Sequence, residues 1–362
     1  MSEKKDELTM TFDPHTIEHL GIKMYSVLPN AMAELIANAY DAEADNVYIN
    51  LYDNNSGKKI VVSDDGVGMD FDEINDNFLR IGKKRRESDD GYSINHKRKV
   101  SGRKGLGKLA FFGIGDTIEI KTRKNGKEVS FIMRWNDILN CSDAEYKPKF
   151  RINDCDDKRT GTEIILSDLK RKSGFDKQAL TDSLSKLFNF YDQTFNVFIT
   201  LNDDEPLKID SKLKYETLVI QTEWSIPDNA NVCSEYFSRM NVRGKILATE
   251  KPLKPGLRGI TLYAHGRLAN APEFFGVGES SHGYSYLTGW LDVDFIDEFP
   301  EDLISTDRQS LSWDLPETQV LRENLKRLLQ NIEQDWRKER KKKREKNISQ
   351  KTNIDVGSWY AR

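Results

Sequence analysis

The segment SGRKGLGKLA, Ser101–Ala110, combines glycine and lysine in a spacing that could bind phosphate. Counted from Gly102, it has the pattern G-x-x-x-x-G-K of a P-loop, in which backbone N–H groups surround the phosphate oxygens. Leu109, however, stands where a P-loop needs the Ser or Thr hydroxyl that binds Mg²⁺. The residues alone leave three interpretations: a damaged P-loop, a basic glycine-rich turn, or a phosphate-binding segment of another kind.

Two further motifs could belong to a site, although each is weak by itself. In AELIANAYDA, the polar residues Glu34, Asn38 and Asp41 are spaced so that a helix places them on one face. An isolated pattern of this kind is more often a solvated stripe on an amphipathic helix. The D-x-G-x-G motif that begins at Asp64 follows a β-rich run, and alone it is more often a turn that uses glycine for positive φ.

The order of the motifs along the chain is more specific than any one of them. E-x-x-x-N and D-x-G-x-G are followed by G-x-x-G-x-G within Gly102–Gly107, and then by Gly161-Thr162 at the start of a strand. In this order the chain resembles the GHKL superfamily: the ATPases of gyrase B, MutL, heat-shock chaperones and MORC proteins, with the related histidine-kinase catalytic domain. The motifs cover about 34–162, and a transducer-type domain extends the resemblance to about 315.

The resemblance implies an α+β fold, with a Bergerat-type α/β sandwich that binds ATP and Mg²⁺, then a transducer-type α/β domain and a charged C-terminal helix. Within the family, ELIANAYDA and GRKGLGKLA look most like MORC-like and other prokaryotic stand-alone members. The resemblance also implies that Ser101–Ala110 is not a P-loop, because in this family Mg²⁺ is held by the residue that matches Asn38, on another helix. Backbone N–H groups at a helix N-terminus then meet the phosphates. The implied phosphate-binding residues are Gly102, Gly105, Leu106, Gly107 and Lys108.

The family's catalytic roles fall on two residues of the first helix. Glu34 matches the general base, since a carboxylate near the γ-phosphate can orient and deprotonate the attacking water. Asn38 matches the Mg²⁺ ligand, because a neutral amide oxygen is a hard donor. Asp41 is expected to support the site or a water close to the nucleotide.

The family's adenine-binding roles fall on the second and fourth motifs. Asp64 corresponds to the carboxylate that accepts a hydrogen bond from the exocyclic amine, so guanine, with a carbonyl there, is rejected. Asp65 is assigned no ligand role. Thr162 matches the hydroxyl that completes the hydrogen bonds on this side. The residues expected to turn beneath the base or line its pocket are Gly66, Gly68 and Met69.

The segment between the second and third motifs, about 69–107, is long, polar and glycine-punctuated, which is typical of a functional lid. For Lys108, contact with a β- or γ-phosphate and a solvated position in the lid remain equal alternatives. The lid's basic side chains are interpreted as a charged mobile loop rather than as individual catalytic groups. These residues are Lys83, Lys84, Arg85, Arg86, Lys97, Arg98 and Lys99.

One residue of the second domain is a further candidate. Arg308, in DLISTDRQSLSW, matches the basic residue that transducer domains supply to the γ-phosphate, with Gln309 beside it. The structural alternative is an ion pair with Asp302 or Asp307. Lys254 is a weaker candidate for the same role.

Composition limits the class of protein. The 362 residues carry a net charge of -4, and the five histidines and three cysteines show no metal-ligand or disulfide spacing. The chain lacks both a 20-residue apolar run and the apolar core of a signal peptide, so we expect a cytoplasmic protein without membrane contact. Basic charge is clustered around 83–108 and in Arg337–Lys346, where a local field could attract a polyanion.

The predicted domains are 1–169 for ATP binding, 170–315 for the transducer and 316–362 for the charged helix and tail. The expected activity is slow ATP hydrolysis that drives lid closure and an ATP-dependent homodimer clamp, with Arg308 coupling the two domains. For the target, DNA bound through the basic lid and the C-terminal helix and a partner protein docked on that helix remain equal alternatives, and the expected setting is restriction or anti-phage defence with a separate effector protein. The alternatives are a chaperone-like clamp and a histidine kinase; for the latter, neither His15 nor His19 lies in a helix pair.

Overall fold

The computed structural model describes residues 27–55, 57–80, 92–93, 95, 98–100, 110–141, 146–156, 159–189, 194–210, 215, 218–278 and 282–352. The chain divides into two compact units, each with its own sheet and helices. Unit 1 is Met1–Leu187 with Tyr191–Ser211, and unit 2 is Phe188–Phe190 with Lys212–Arg362. The mixture of sheets and helices confirms the predicted α+β class.

Unit 1 contains, within the described residues, an eight-stranded sheet of order β5-β4-β3-β6-β2-β1-β7-β8. Neighbouring strands are antiparallel except β1 and β7, which are parallel. Alternate residues of each central strand are buried, because helices cover one face of the sheet. The strands are β1 (Asn46–Asn54), β2 (Gly57–Asp64), β3 (Gly115–Lys124), β4 (Lys127–Arg134), β5 (Phe150–Asp154), β6 (Gly161–Leu169), β7 (Asn196–Leu201) and β8 (Leu207–Lys208).

Helix α1, Leu28–Asp41, is the central helix of unit 1. Pro29 lies in its first turn, where its fixed φ suits the helix and its missing N–H costs nothing. The alanine- and leucine-rich sequence gives the helix high intrinsic propensity, and most of its residues are buried. The helix therefore lies inside the domain rather than along its surface.

Short helices complete unit 1. Helix α2 begins at Phe71–Glu73 and continues with π-type hydrogen bonds over Ile74–Phe78, after Asp70 and Glu73 form a capping box. Helix α3, Ala110–Ile114, is entirely buried and packs against α1. Helices α4 (Trp135–Leu139) and α5 (Lys177–Leu187) follow, and α5 also packs against α1. The sequence patterns predict helices α1, α2, α3 and α5 and strands β1–β4, β6 and β7, and all of these are present; α4, β5 and β8 are not predicted from the sequence.

The boundary predicted near residue 170 is corrected by the sheet. Strand β7 pairs with β1 in register from Asn46↔Asn196 to Leu51↔Leu201, and β8 then pairs with β7. Because these hydrogen bonds extend the first sheet, α5, β7 and β8 belong to unit 1. The change of composition near 170 marks a surface loop within a domain.

Unit 2 contains a five-stranded sheet of order β12-β11-β13-β10-β9 in the part that the structure describes. Its long helix α7, Pro316–Thr352, packs on this sheet through residues at helical spacing: Leu321, Leu325, Leu328, Leu329, Ile332 and Trp336. Val320 also fits the apolar spacing of the sequence, but it lies outside this face and is 50% exposed. The strands are β9 (Ile220–Ile226), β10 (Arg243–Thr249), β11 (Gly259–Ala264), β12 (Arg267–Glu273) and β13 (Leu287–Asp292), and the short helices are α6 (Glu235–Arg239) and two 3₁₀ turns, His282–Tyr286 and Asp294–Glu298. Among the described helices of the chain, none has the length and apolar character needed to cross a bilayer.

Candidate functional site

One stripe of side chains on helix α1 is partly exposed to solvent. Glu34 and Asn38 are half-buried, whereas Leu35, Ile36 and Ala37 around them are at most 3% exposed. This spacing of one helical turn places a carboxylate and an amide side by side. Asp41, predicted on the same face, is buried at the helix end. The stripe therefore differs from the polar face of a surface helix, which would leave far more of α1 exposed.

The D-x-G-x-G turn packs against the C-terminal end of α1. Val67 donates its N–H to the carbonyl of Ala42 at 2.9 Å. A Cβ on Gly66 would lie 2.7 Å from that same carbonyl oxygen, so the approach requires glycine. Asp65 accepts from the N–H groups of Asp45 and Asn46 at 2.8 Å, which ties the turn to the start of β1. These contacts give Asp65 a structural role.

Two other glycines allow this turn to approach the sheet. Gly68 has φ +66°, and a Cβ there would lie 2.0 Å from the carbonyl oxygen of Arg123 in β3. Gly161 has φ +125°, and its Cβ would lie 2.1 Å from the carbonyl oxygen of Asp64. Both positions combine a left-handed backbone with backbone contact, so the glycines hold the second and fourth motifs together.

Asp64 lies at the end of β2 in the centre of this arrangement. Its Oδ1 accepts from the N–H groups of Gly66 at 3.0 Å and Thr162 at 3.2 Å. Burial raises the pKa of the Asp64 carboxyl to about 6. The two backbone hydrogen bonds stabilise the anion and so lower this pKa, but their effect is smaller than that of burial. Oδ2 has no hydrogen-bond partner among the described residues. The carboxylate therefore retains an acceptor for a donor outside this part of the chain.

A row of three side chains crosses the sheet at this point. The register aligns Asp64 with Thr162 and Thr162 with Thr122 on three adjacent strands. The Thr122 and Thr162 hydroxyls are 3.2 Å apart, and Thr122 Oγ1 accepts from the N–H of Met69 at 2.8 Å. Thr122 thus connects two of the predicted site residues, Met69 and Thr162, and Thr162 in turn contacts Asp64.

Thr122 was not among the residues predicted from the sequence. Its side chain is fully buried and follows Ile118 and Ile120 on the inner face of β3. The available signal is the alternation of TIEIKTR, which places a threonine where the pattern requires an apolar residue. A hydroxyl at such a position needs a hydrogen-bond partner, and the adjacent turn supplies it.

Arg98 corrects the interpretation of the lid as a solvated basic loop. Its side chain is buried, with 6% exposed, and its guanidinium carbon lies 4.5 Å from the Tyr40 ring centroid. It also donates to the carbonyl of Ala44 at 2.6 Å, beyond the end of α1. The other basic lid residues named above, apart from Lys99, lie outside the described residues.

The predicted phosphate-binding residues Gly102, Gly105, Leu106, Gly107 and Lys108 also lie outside the described residues. The chain re-enters the structure in α3, directly after Leu109. Arg308 belongs to unit 2, where it has φ +56° and donates from Nη1 to the carbonyl of Leu268 at 3.0 Å. Its contact with a γ-phosphate stays a prediction, as does the weaker one for exposed Lys254.

The described part of the site fits an adenine nucleotide with Mg²⁺. The free Oδ2 of Asp64 can accept from an exocyclic amine. The side-chain amide of Asn38 makes no hydrogen bond within the described residues, which leaves its oxygen for a hard cation. Glu34 lies one turn before Asn38 on the same helix. One end of the arrangement can therefore select a base, and the other can act on phosphates.

Comparison with known families supports this assignment. Residues 25–162 match the family described as "Histidine kinase-, DNA gyrase B-, and HSP90-like ATPase". This range includes α1, the D-x-G-x-G turn and the Gly161-Thr162 pair, so the match and the geometry concern the same residues.

Individual relatives fall into two groups. A protein of Herpetosiphon aurantiacus, provisionally named type II restriction enzyme HgiDII, is 29% identical over 94% of this chain. The chaperone protein HtpG of Buchnera aphidicola is 27% identical over 46% of the chain, and that of Francisella tularensis is 28% identical over 60%. The chain spans 58% of HgiDII and 29% and 36% of the two HtpG proteins. From its motifs, its fold and these matches, residues 25–162 of the chain form a GHKL-type ATPase domain.

Proposed function

We propose that unit 1 binds ATP with Mg²⁺ and hydrolyses the terminal phosphate. The observation that carries this proposal is the half-buried pair Glu34 and Asn38 on a mostly buried helix, whose C-terminal end packs against the turn of Asp64. The family match over the same residues supports the interpretation.

Different residues of the chain would act on different parts of the nucleotide. Glu34 would hold the attacking water and accept its proton, while Asn38 would contribute its amide oxygen to Mg²⁺. Mg²⁺, when bound, neutralises charge on the phosphate oxygens. The glycine-rich segment Gly102–Gly107 would contribute backbone N–H groups to the phosphates. Asp64 and the threonines beside it would hold the base.

The same geometry predicts selectivity for adenine. Because two backbone N–H groups occupy Oδ1 of Asp64, the ionised Oδ2 would face the exocyclic position of the base. An amine there donates to it, whereas the carbonyl of guanine would leave two acceptors opposed. We expect GTP to bind at least tenfold more weakly than ATP.

The proposed base is tested with Glu34→Gln, which keeps the shape of the side chain. We expect kcat for ATP hydrolysis to fall about 100-fold or more, with the dissociation constant for ATP within about threefold of the wild type. Glu163→Gln, a carboxylate on β6 that pairs with Lys121 at 3.1 Å, is the matched control. Full hydrolysis by the Glu34 variant would remove this residue from the role of base.

ATP binding is further proposed to drive dimerisation, with Arg308 of unit 2 reporting on the γ-phosphate. The loop Ser305–Ser310 carries Arg308. The backbone N–H groups of Gln309 and Ser310 donate to the Ser305 hydroxyl and close this loop, which fixes the backbone position of the arginine. Solution size measured with ADP and with a non-hydrolysable ATP analogue tests this. We expect a dimer with the analogue only, and a weaker shift for Arg308→Ala; identical sizes in both nucleotides would contradict it.

The proposed target of the clamp is DNA, contacted through α7. The ten residues of Arg337–Lys346 include eight basic and two acidic side chains. Lys341 and Lys342 are 77% and 74% exposed, although each has a helical carboxylate within 4 Å. HgiDII, which covers 94% of the chain, favours a restriction setting over the chaperone one suggested by the shorter HtpG matches. A separate effector protein would then carry out cleavage.

Gel-shift titration at 50 and 200 mM salt tests the DNA target. We expect binding at low salt that weakens steeply at high salt, and a shallower salt dependence for the double variant Lys341→Gln/Lys342→Gln. Lys177→Gln, which changes a lysine of α5 paired with Asp204, is the control for charge alone. Absence of binding at low salt, together with suppression of protein aggregation, would instead support the chaperone-like alternative.

A further inference from the structure

Strand β5 forms one edge of the eight-stranded sheet. It pairs with β4 from Lys127↔Asp154 to Phe131↔Phe150, and no described strand lies on its other side. The backbone N–H and C=O groups on that side therefore have no partner strand among the described residues, and such groups can pair with another chain. All five residues of β5 are exposed. An edge of this kind can accept a further strand, because the main chain supplies the hydrogen bonds.

The inner face of β5, which continues the helix-covered face of the sheet, carries an apolar cluster. The β4 residues opposite Phe150 and Ile152 are at most 4% exposed. Phe150 and Ile152 themselves are 53% and 48% exposed. Phe71 of α2 packs on Phe150, with 5.1 Å between the ring centroids, and is 40% exposed. The cover that α2 provides thus ends at β5, where three large apolar side chains meet solvent.

The outer face of the same strand is polar and basic. Arg151 and Asn153 lie on this face, because they alternate with the apolar pair along the strand. Arg134 of β4 is exposed on the same face. Glu128 of β4, opposite Asn153, is already bonded to Arg123 at 2.7 Å. Basic charge is therefore in excess beside Arg151, which favours acidic side chains on an added strand.

Charge and register argue against a second copy of β5 as that added strand. A two-fold axis between antiparallel copies places residues of the same face opposite one another. In the register that pairs all five residues, Arg151 would lie opposite Asn153, and Asp154 opposite Phe150. A shift in one direction would place Arg151 opposite its own copy, and a shift in the other would place Asp154 opposite Ile152. None of these registers places a carboxylate opposite Arg151.

We propose that β5 is a docking site for an extended acidic segment of a partner protein, which adds a strand to the edge of the sheet. Because side chains alternate along a strand, the segment should alternate apolar and acidic residues. Its apolar side chains would lie beside Phe71, Phe150 and Ile152, and its carboxylates beside Arg151. The site goes beyond the proposed ATP chemistry and uses none of the residues assigned to the nucleotide, so it can be tested without ATP.

Fluorescence anisotropy with labelled peptides of about ten residues tests the docking site. We expect the wild-type chain to bind a peptide that alternates valine and glutamate, and to bind one that alternates valine and lysine at least tenfold more weakly. Ile152→Ser and Arg151→Glu should each weaken binding of the valine–glutamate peptide about tenfold. Val320→Ser, at a residue of α7 that is 50% exposed, and Lys172→Glu, at an exposed lysine after β6, are the matched controls and should change nothing.

N-methylation of the valine–glutamate peptide tests whether main-chain pairing holds it. The N–H and C=O of one residue point to one edge of a strand, and those of the next residue point to the other edge. Methylation of all valines and methylation of all glutamates should therefore differ: one form loses binding, and the other keeps it within about threefold. Hydrogen exchange of the β5 amides should be fast in the free protein and slow with the unmethylated peptide bound.

Several outcomes would overturn the docking site. The wild-type chain would fail to bind the valine–glutamate peptide, would bind both charge forms equally, or would lose both methylated forms equally. Self-association that Ile152→Ser abolishes would make a second copy of the chain the occupant. Slow exchange of the β5 amides in the free protein would assign this edge to another segment of the chain itself.

Discussion

The two ends of the candidate site are built in different ways. The adenine end is formed by three paired strands, where backbone N–H groups and close glycine contacts fix Asp64, Thr162 and Thr122. The proposed phosphate end combines one helix, with Glu34 and Asn38, and the glycine-rich residues that precede α3 in the sequence. In the proposed function, selection of the base would therefore depend on the sheet, whereas hydrolysis would depend on residues of helix α1.

This difference has a physical basis. A sheet register fixes side chains on adjacent strands to within the spacing of the pleat, which suits recognition of a rigid base. Phosphates, by contrast, would be bound in the proposed function by backbone N–H groups and a metal ion. Changes at the adenine end should therefore alter adenosine and ATP binding together, whereas changes at the phosphate end should alter ATP binding alone.

The largest expected effect is that of Asp64→Asn at the adenine end. Since two N–H donors hold one oxygen, the new NH₂ group must replace the free Oδ2 and would oppose the amine of adenine. We expect affinities for both adenosine and ATP to fall about 100-fold, and the preference for ATP over ITP, which has a carbonyl at that position, to decrease. Titration of the three ligands measures this. A loss for ATP alone would show that Asp64 serves the phosphate end.

A pH dependence should follow from the same carboxylate. The ionised form binds, so with a pKa near 6 adenosine affinity should be constant above pH 7 and about tenfold weaker at pH 5. Because the folded pKa is raised, the free protein should also lose stability relative to Asp64→Asn as pH rises from about 4 to 6, by roughly 3 kcal/mol at most. Calorimetry across this range checks both effects. A flat adenosine profile would place the ionisation elsewhere.

Asn38→Ala should produce a smaller change that is confined to the phosphate end. Without its amide oxygen, binding of ATP in the presence of Mg²⁺ should weaken about fivefold to tenfold, while adenosine binding and ATP binding in EDTA stay as in the wild type. Asn30→Ala, about two turns earlier on α1, is the matched control. An equal loss with and without Mg²⁺ would exclude Asn38 as a metal ligand.

Thr122→Val should have the smallest effect on binding, about threefold for adenosine and ATP alike. The variant keeps the shape of the side chain but leaves the Met69 N–H without its acceptor, so we also expect about 1–2 kcal/mol of destabilisation. Thermal melts with and without adenosine separate the two consequences. A change in ATP affinity alone would show that Thr122 serves the phosphate end of the site and not the adenine end.

Much of unit 1 could be predicted from local sequence patterns. The local signals are regular hydrophobic spacing and the turn residues that interrupt it. They predict the turn between β1 and β2, the KNGK turn between β3 and β4, and the helix around Glu34. The boundary near 170 could not, because the pairing of β7 with β1 joins residues about 150 positions apart. Likewise, β5 has all five residues exposed and gives no buried face to detect.

By itself, the sequence determined which residue types could recognise a base, a metal and phosphates, and in what order they occur. Only the tertiary structure decided that Asp41 and Arg98 are buried, that Thr122 completes the row beside Asp64, and that Arg98 binds the backbone just beyond the end of α1. Spacing along a chain fixes neighbours on one helix or strand. The partners of Asp64 and Arg98 come from other elements, and only the packing of those elements brings them within hydrogen-bond distance.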